Sequence, residues 1–397
     1  MLDKEKSRFS ATAKGTDVLG KICDFCIFEK GKYASFGEQP NICTFTTDVC
    51  ANQQPSYFFN QRDKNAVVIF SKLRVPWDKP KSRLELIVAL KKDIIAAVRE
   101  LKPFENGILK ARYGTTEKSF YDVENALFYN IGTTNFKPFT QNGVVFSVVN
   151  EQEIIEMRKK YNIPDDYTHY YEYQLTEPSK KEPYGSTLAE WADIPIKCLG
   201  LTSTKCWHAI KENIDKIKVY DKIDCGKKDT FGINLHIQAP ENVRFSLITA
   251  LKPLLDGLIC AFHGSQFDEE KLTELSQKLK CDKSFLIENT INVLGKRKGN
   301  VVQLYRNGVK WNPADDLCNY VSISVTQGSN WSVSGKIYST VKCPKCGKGQ
   351  LSKLLWGAPA VDEMMKQEIE SKKIRIAGCC VEQEKARYYC RWCKKTF

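Results

Sequence analysis

The chain has 397 residues, 42% hydrophobic and 27% charged, the balance of a globular protein long enough for two or three cores. This excludes a mostly disordered chain, a coiled coil and a collagen-like rod. Sixty Lys+Arg against 47 Asp+Glu leave a net charge of +13, and 16 cysteines stand beside only 4 histidines.

The start, MLDKEKSRFSATAKG, has no apolar segment of the secretory kind, and no run of 18 apolar residues occurs. The expectation is a cytoplasmic protein without membrane contact. Its cysteines should be reduced, so that CxxC pairs read as metal sites. The cations are 47 Lys and 13 Arg. A lysine-rich surface suits sequence-independent attraction to phosphates better than base readout.

Residues 1–60 are poor in core-forming periodicity but hold Cys23-x2-Cys26 and Cys43-x6-Cys50. An all-cysteine zinc module is expected there. Bound metal would supply folding free energy that a small core lacks.

Next comes an expected internal duplication, with α+β units over 61–180 and 181–335. Each begins with a strand ending at proline: AVVIFSKLRVP to Pro76, and FGINLHIQAP to Pro240. A helix containing Ala-Leu-Lys follows each strand, at 89–91 and 250–252. In the first helix Leu84, Ile87, Leu90, Ile94, Val98 and Leu101 form one apolar stripe. The second, LITALKPLLDGLICAF, is apolar nearly all round and should be more buried. Lys-Ser-Phe then precedes Glu-Asn in both copies, with short helical patterns stopping at Gly132 and Gly295. Asn142-Gly143 and Asn307-Gly308 read as hairpin turns. Finally Asp165-Asp166 matches Asp315-Asp316 before the alternating runs YYEYQL and YVSISV, both read as strands. The first copy carries an extra helix, EQEIIEMRKKYN, and TEPSKKEPYGSTLAEW reads as the linker.

The last segment, 336–397, carries Cys343-x2-Cys346 and Cys390-x2-Cys393. Two such turns supply the closed tetrahedral thiolate shell of a structural zinc ion. CPKCGKG and YYCRWCKKTF resemble the zinc-ribbon family over residues 340–397. Two departures stand out. Lys394 occupies a place where ribbons often have glycine, and the long gap between knuckles holds a helical pattern and the adjacent Cys379 and Cys380. The resemblance implies a module of nucleic-acid machinery or protein docking. Residues 340–397 have 13 Lys+Arg against 6 Asp+Glu, more than half the chain's net charge. Arg387, Arg391, Lys394 and Lys395 interleave with Trp392, so they are the expected nucleic-acid contacts. The six scattered cysteines at 198, 206, 225, 260, 281 and 318 read as small buried hydrophobes.

No phosphate loop, dinucleotide fingerprint, serine elbow, HExxH or zinc-deaminase pattern occurs. One reaction class remains open. Glu124, Asp165, Asp166, Glu288, Asp315 and Asp316 recur in matching places, and clustered carboxylates can hold Mg²⁺ for phosphodiester cleavage. The run INLHIQAPENVRFSLITALKPLLDGLICAF is similar to the RusA-type Holliday-junction resolvase family over about 30 residues. That likeness implies a symmetric dimer with acidic residues at the helix start. Glu241-Asn242-Val243-Arg244 lacks paired aspartates, which implies an inactive relative. The sequence thus predicts an α+β, zinc-stabilised protein that binds DNA or RNA. It would serve as a recognition or adaptor subunit with protein partners, as in a bacterial defence or mobile-element system. The alternatives are a metal-dependent nuclease and a protein-docking scaffold.

Overall fold

The computed structural model describes residues 56–76, 84–118, 121–178, 185–264, 269–295, 300–343, 345–346, 349, 351–357, 361–370, 372–378 and 386–397. Cys23, Cys26, Cys43 and Cys50 lie outside these residues, as do Cys379 and Cys380.

The protein is a mixed α/β structure built on one large sheet. Its strands are β1 (Tyr57–Arg62), β2 (Ala66–Ser71), β3 (Ile108–Thr115), β4 (Gly143–Val149), β5 (His169–Thr176), β6 (Thr187–Ile194), β7 (Ile217–Val219), β8 (Phe231–Pro240), β11 (Cys318–Gly328) and β12 (Ser332–Ser339). The hairpin β9 (Val302–Tyr305) and β10 (Gly308–Trp311) stands apart. The ten strands of the large sheet run in the order β1-β2-β5-β3-β4-β11-β8-β12-β6-β7. Two pairs are parallel, β3–β4 and β8–β11, and the remaining pairs are antiparallel. The pairing senses therefore read the same from either edge, about the antiparallel seam β4–β11.

Helix α1 (Leu84–Glu100) forms as its stripe predicts, with Leu90, Ile94, Ala97 and Val98 fully buried. Helix α2 (Glu151–Lys160) starts at an Asn150 capping box with Glu153, and α3 (Ser203–Glu212) at a Thr202 cap. Helix α4 (Leu247–Phe262) buries twelve of its sixteen residues, from Leu247 to Phe262. Helices α5 (Leu272–Leu279) and α6 (Lys283–Glu288) follow. Parallel neighbours need such crossovers, and α4 lies between β8 and β11 in the chain. The core under the sheet is continuous, running from Val67 and Leu90 through Phe146 to Ile233, Leu258 and Ile337.

The matched motifs do not occupy equivalent places. Strand β2 has two antiparallel neighbours, whereas β8 has one parallel and one antiparallel. By position in the sheet, β8 corresponds to β3, and α4 to the short helical segments at Asn125–Tyr129 and Thr133–Phe139. Asn142-Gly143 makes no hairpin, because β3 and β4 are parallel; Gly143 instead begins β4 at φ 147°. At the second site the two-residue turn is Arg306-Asn307, with Gly308 paired to Tyr305. The turn is set one residue earlier than the Asn-Gly signal suggests.

The last segment forms a separate three-stranded sheet, β14 (Ile374–Gly378), β13 (Leu351–Trp356) and β15 (Tyr388–Cys390), with helix α7 (Glu363–Glu370) in the expected gap. Strands β13 and β14 are parallel, and the helix between them makes that crossover possible. Among the described residues no helix is long and apolar enough to cross a membrane.

Candidate metal centre and carboxylate cluster

Cys343, Cys346, Cys390 and Cys393 come together as their spacing predicts, all four Sγ atoms lying within 4.8 Å of one another. Cys343 Sγ is 3.6 Å from Cys393 Sγ, and Cys346 Sγ is 3.5 Å from Cys390 Sγ. Disulfide sulfurs would stand about 2.05 Å apart. Sulfurs about 2.3 Å from a shared ion at the tetrahedral angle stand about 3.8 Å apart. The group has the dimensions of a four-thiolate shell and could hold a metal ion. The two thiols of its second turn shift in opposite senses, burial and the Cys343 Sγ raising Cys393. Burial pushes the Cys390 thiol up, but the Cys393 N–H and the Cys346 Sγ outweigh it, taking it down to about 6. Lys394 has φ 60°, the left-handed conformation that a ribbon glycine would supply, and its N–H donates to the Cys390 carbonyl at 2.9 Å.

The cations expected to bind nucleic acid separate into two groups. Arg387 forks onto Asp229, with Nη1 2.8 Å from Oδ1 and Nη2 on Oδ2, while Tyr388 Oη donates to Oδ2 at 3.2 Å. Asp229 is only 5% exposed, and a buried carboxylate requires such donors. Lys353 Nζ reaches Asp221 at 2.9 Å. These contacts dock the C-terminal three-stranded sheet against residues 221–229 of the large domain. Arg387 is therefore a docking residue. Trp392, by contrast, is 62% exposed, and Lys394 and Lys395 are exposed beside it. Phe397 lies against Tyr388, ring centroids 5.7 Å apart, and belongs to the packing of the C-terminal segment itself.

Of the six candidate catalytic carboxylates, the structure joins two. Glu124 starts the turn after β3, and Asp315 lies just before β11, so the seam brings the halves' acids together. Asp122 completes a group whose carboxylate oxygens lie within 4.8 Å of one another. Lys252, on α4, sits among them: its Nζ is 3.2 Å from Glu124 Oε1, 3.2 Å from Asp256 Oδ1 and 3.6 Å from Asp315 Oδ2. Its backbone N–H donates to Tyr129 Oη at 2.8 Å. Burial, with the neighbouring acids, pushes Asp315 up to about 9. Burial outweighs Lys252 at Glu124 and takes it up to about 7, and Asp256 is raised for the same reason.

The other four candidates stand elsewhere. Asp165 is 99% exposed opposite Arg158, Asp166 pairs with Lys72 at 2.5 Å, Glu288 ends α6, and Asp316 lies in the turn at 315–317. Sequence matching missed Asp122, Asp256 and the role of Lys252. The usable signal was Lys252 and Asp256 at i,i+4 in a helix otherwise apolar all round. Charges in such a helix are buried and must be paired.

The six scattered cysteines are structural. Cys198, Cys206, Cys225, Cys260 and Cys318 are buried, and Cys281 is half-buried. Burial pushes the Cys198 thiol up to about 12 and raises the thiols of Cys206 and Cys318, the opposite of reactive cysteines. No protein family matches the chain, and neither does any curated protein or solved structure.

Proposed function

We propose that this is a zinc-stabilised nucleic-acid-binding protein, a recognition or adaptor subunit whose large sheet is the scaffold and whose C-terminal ribbon touches the polymer. The observation that carries the reading is Trp392, 62% exposed on the second cysteine turn with Lys394 and Lys395 beside it. A large ring held in water among cations is what an unpaired base stacks on. Zinc fits the four thiolates by ligand type, number and spacing. Substituting Arg391→Ala together with Lys394→Ala is expected to weaken oligonucleotide binding. It should also lower the slope of log affinity against log salt by about 1.4, the share of two phosphate contacts on a single strand. A slope and affinity equal to those of the parent chain reject the ribbon as the contact.

The palindromic pairing of the large sheet supports a duplicated scaffold joined near residues 177–186, with β2 answering to β6 and β3 to β8. That equivalence differs from the one the motifs suggest.

A second reading is favoured by one observation, the convergence of Asp122, Glu124 and Asp315 beside Lys252. Carboxylates can hold a divalent ion, and a lysine can stabilise charge on a phosphate. Under this reading purified protein with Mn²⁺ cleaves nucleic acid and Asp315→Asn abolishes cleavage, by at least about 100-fold. Inactivity on single- and double-stranded substrates removes it.

A further inference from the structure

The geometry points to a single-stranded RNA groove on the open face of the large sheet, across β6, β7, β8, β11 and β12. This inference rests on the nucleic-acid reading and names the polymer and its path.

Alternation along β8 divides its side chains. Ile233, Leu235 and Ile237 are buried in the core, whereas Asn234, His236 and Gln238 point the other way. On β12, Val333 and Ile337 are likewise buried, while Ser334 and Lys336 stand on the outer face. The outer residues line a groove of about 590 Å³. Lys216, Lys218 and Lys336 supply its cations. Among the lining residues Glu190 is the one carboxylate, and it accepts a hydrogen bond from Tyr220 Oη. The lining is thus net positive, and Tyr220, 41% exposed, stands beside it, hydrogen-bonded to Glu190 and with Lys218 Nζ 4.8 Å from its ring centroid. Lysines around a groove with an exposed ring suit a flexible polyanion with unstacked bases.

The remaining lining groups decide between RNA and DNA. Asn234 carries an amide, and Ser324 a hydroxyl, that can both donate and accept hydrogen bonds. His236 has both ring nitrogens engaged, Nδ1 3.0 Å from Ser324 Oγ and Nε2 3.0 Å from Thr326 Oγ1, so it orients the Ser324 hydroxyl and offers no free nitrogen of its own. A phosphate needs donors only. A 2′-hydroxyl uses both, and it is the group that separates RNA from DNA. Asp221, which holds Lys353 of the ribbon, lies three residues beyond Lys218, at most about 11 Å of chain.

The test is fluorescence anisotropy of the full chain with a labelled 12-nucleotide oligouridylate and with its deoxy counterpart. Lys216→Gln with Lys218→Gln is expected to weaken RNA binding by at least about 10-fold and to lower the salt slope by about 1.4. Asn234→Ala with His236→Ala should reduce RNA affinity to the DNA value and leave DNA binding unchanged. An unchanged thermal midpoint establishes that each variant is folded. If the lysine pair has no effect while Arg391→Ala with Lys394→Ala still weakens binding, the groove is overturned and the ribbon reading stands. Equal affinity of the parent chain for RNA and DNA overturns the assignment to RNA. If the parent chain binds neither polymer, both readings fall.

Discussion

Cys390→Ser is expected to unfold the C-terminal ribbon while the large sheet keeps its melting temperature. The ribbon has little else to hold it. Its described residues bury few side chains, chiefly Ser352, Leu354, Cys343 and Cys390, far short of a core that stabilises 60 residues alone. A bound structural metal contributes on the order of 10 kcal/mol to folding in such modules. Losing one of four thiolates removes most of it. The contacts of Arg387 and Lys353 with Asp229 and Asp221 join two surfaces but cannot replace a missing interior. The readouts are metal content, which should fall by one ion per chain, and tryptic cutting after Arg375 and Arg387. A ribbon still resistant to trypsin in the serine variant or after chelation would show that packing, rather than metal, maintains it. If the N-terminal cysteines also bind, the parent chain carries about two ions and the variant about one.

Lys252→Met is expected to cost about 3–5 kcal/mol, the range for removing one member of a buried ion pair. Glu124, Asp256 and Asp315, each within 3.6 Å of the Lys252 Nζ, would all lose that ammonium. The pH dependence gives the sharper readout. Asp315 and Glu124 sit near 9 and 7 in the folded chain, above 3.8 and 4.5 for the free groups. Between about pH 4 and pH 9 the folded state therefore binds more protons than the unfolded state, so stability falls as pH rises. This is opposite in sign to the usual salt-bridged carboxylate. Removing the ammonium raises both carboxyls further, so the variant should lose stability more steeply towards pH 9. Urea midpoints between pH 5 and pH 9 measure this. A flat profile in both chains would mean that the carboxylates are solvated rather than buried.

Local features were legible in the sequence because they follow from local physics. The stripe through Leu90, Ile94 and Val98 specified α1, and the alternation in YVSISV specified β11. The cysteine knuckles specified their own meeting, since each pair is already fixed on a turn and only two turns must meet. The partnership of Glu124 with Asp315 was hidden, although both residues were candidates. It depends on β4 pairing with β11, about 175 residues away in sequence, and no periodicity encodes that choice. The repeated motifs misled for a related reason. Ala-Leu-Lys appears in α1 and α4, yet those helices follow strands with different neighbours. Arg387 was read as a phosphate contact because nothing near it in sequence reveals that a buried Asp229 waits 158 residues upstream.

Strand β7 ends the large sheet on one side with three residues, Ile217, Lys218 and Val219. A long apolar strand there would invite a second molecule to add its own strand and continue the sheet from copy to copy. Three residues offer too few free backbone groups for that, and the central lysine repels an identical neighbour. Under the proposed reading, the margin that would meet a negatively charged polymer is thus also the margin that would keep copies of the protein from joining edge to edge. Neutralising Lys218 alters both properties together, so loss of affinity and gain of self-association would appear in the same variant.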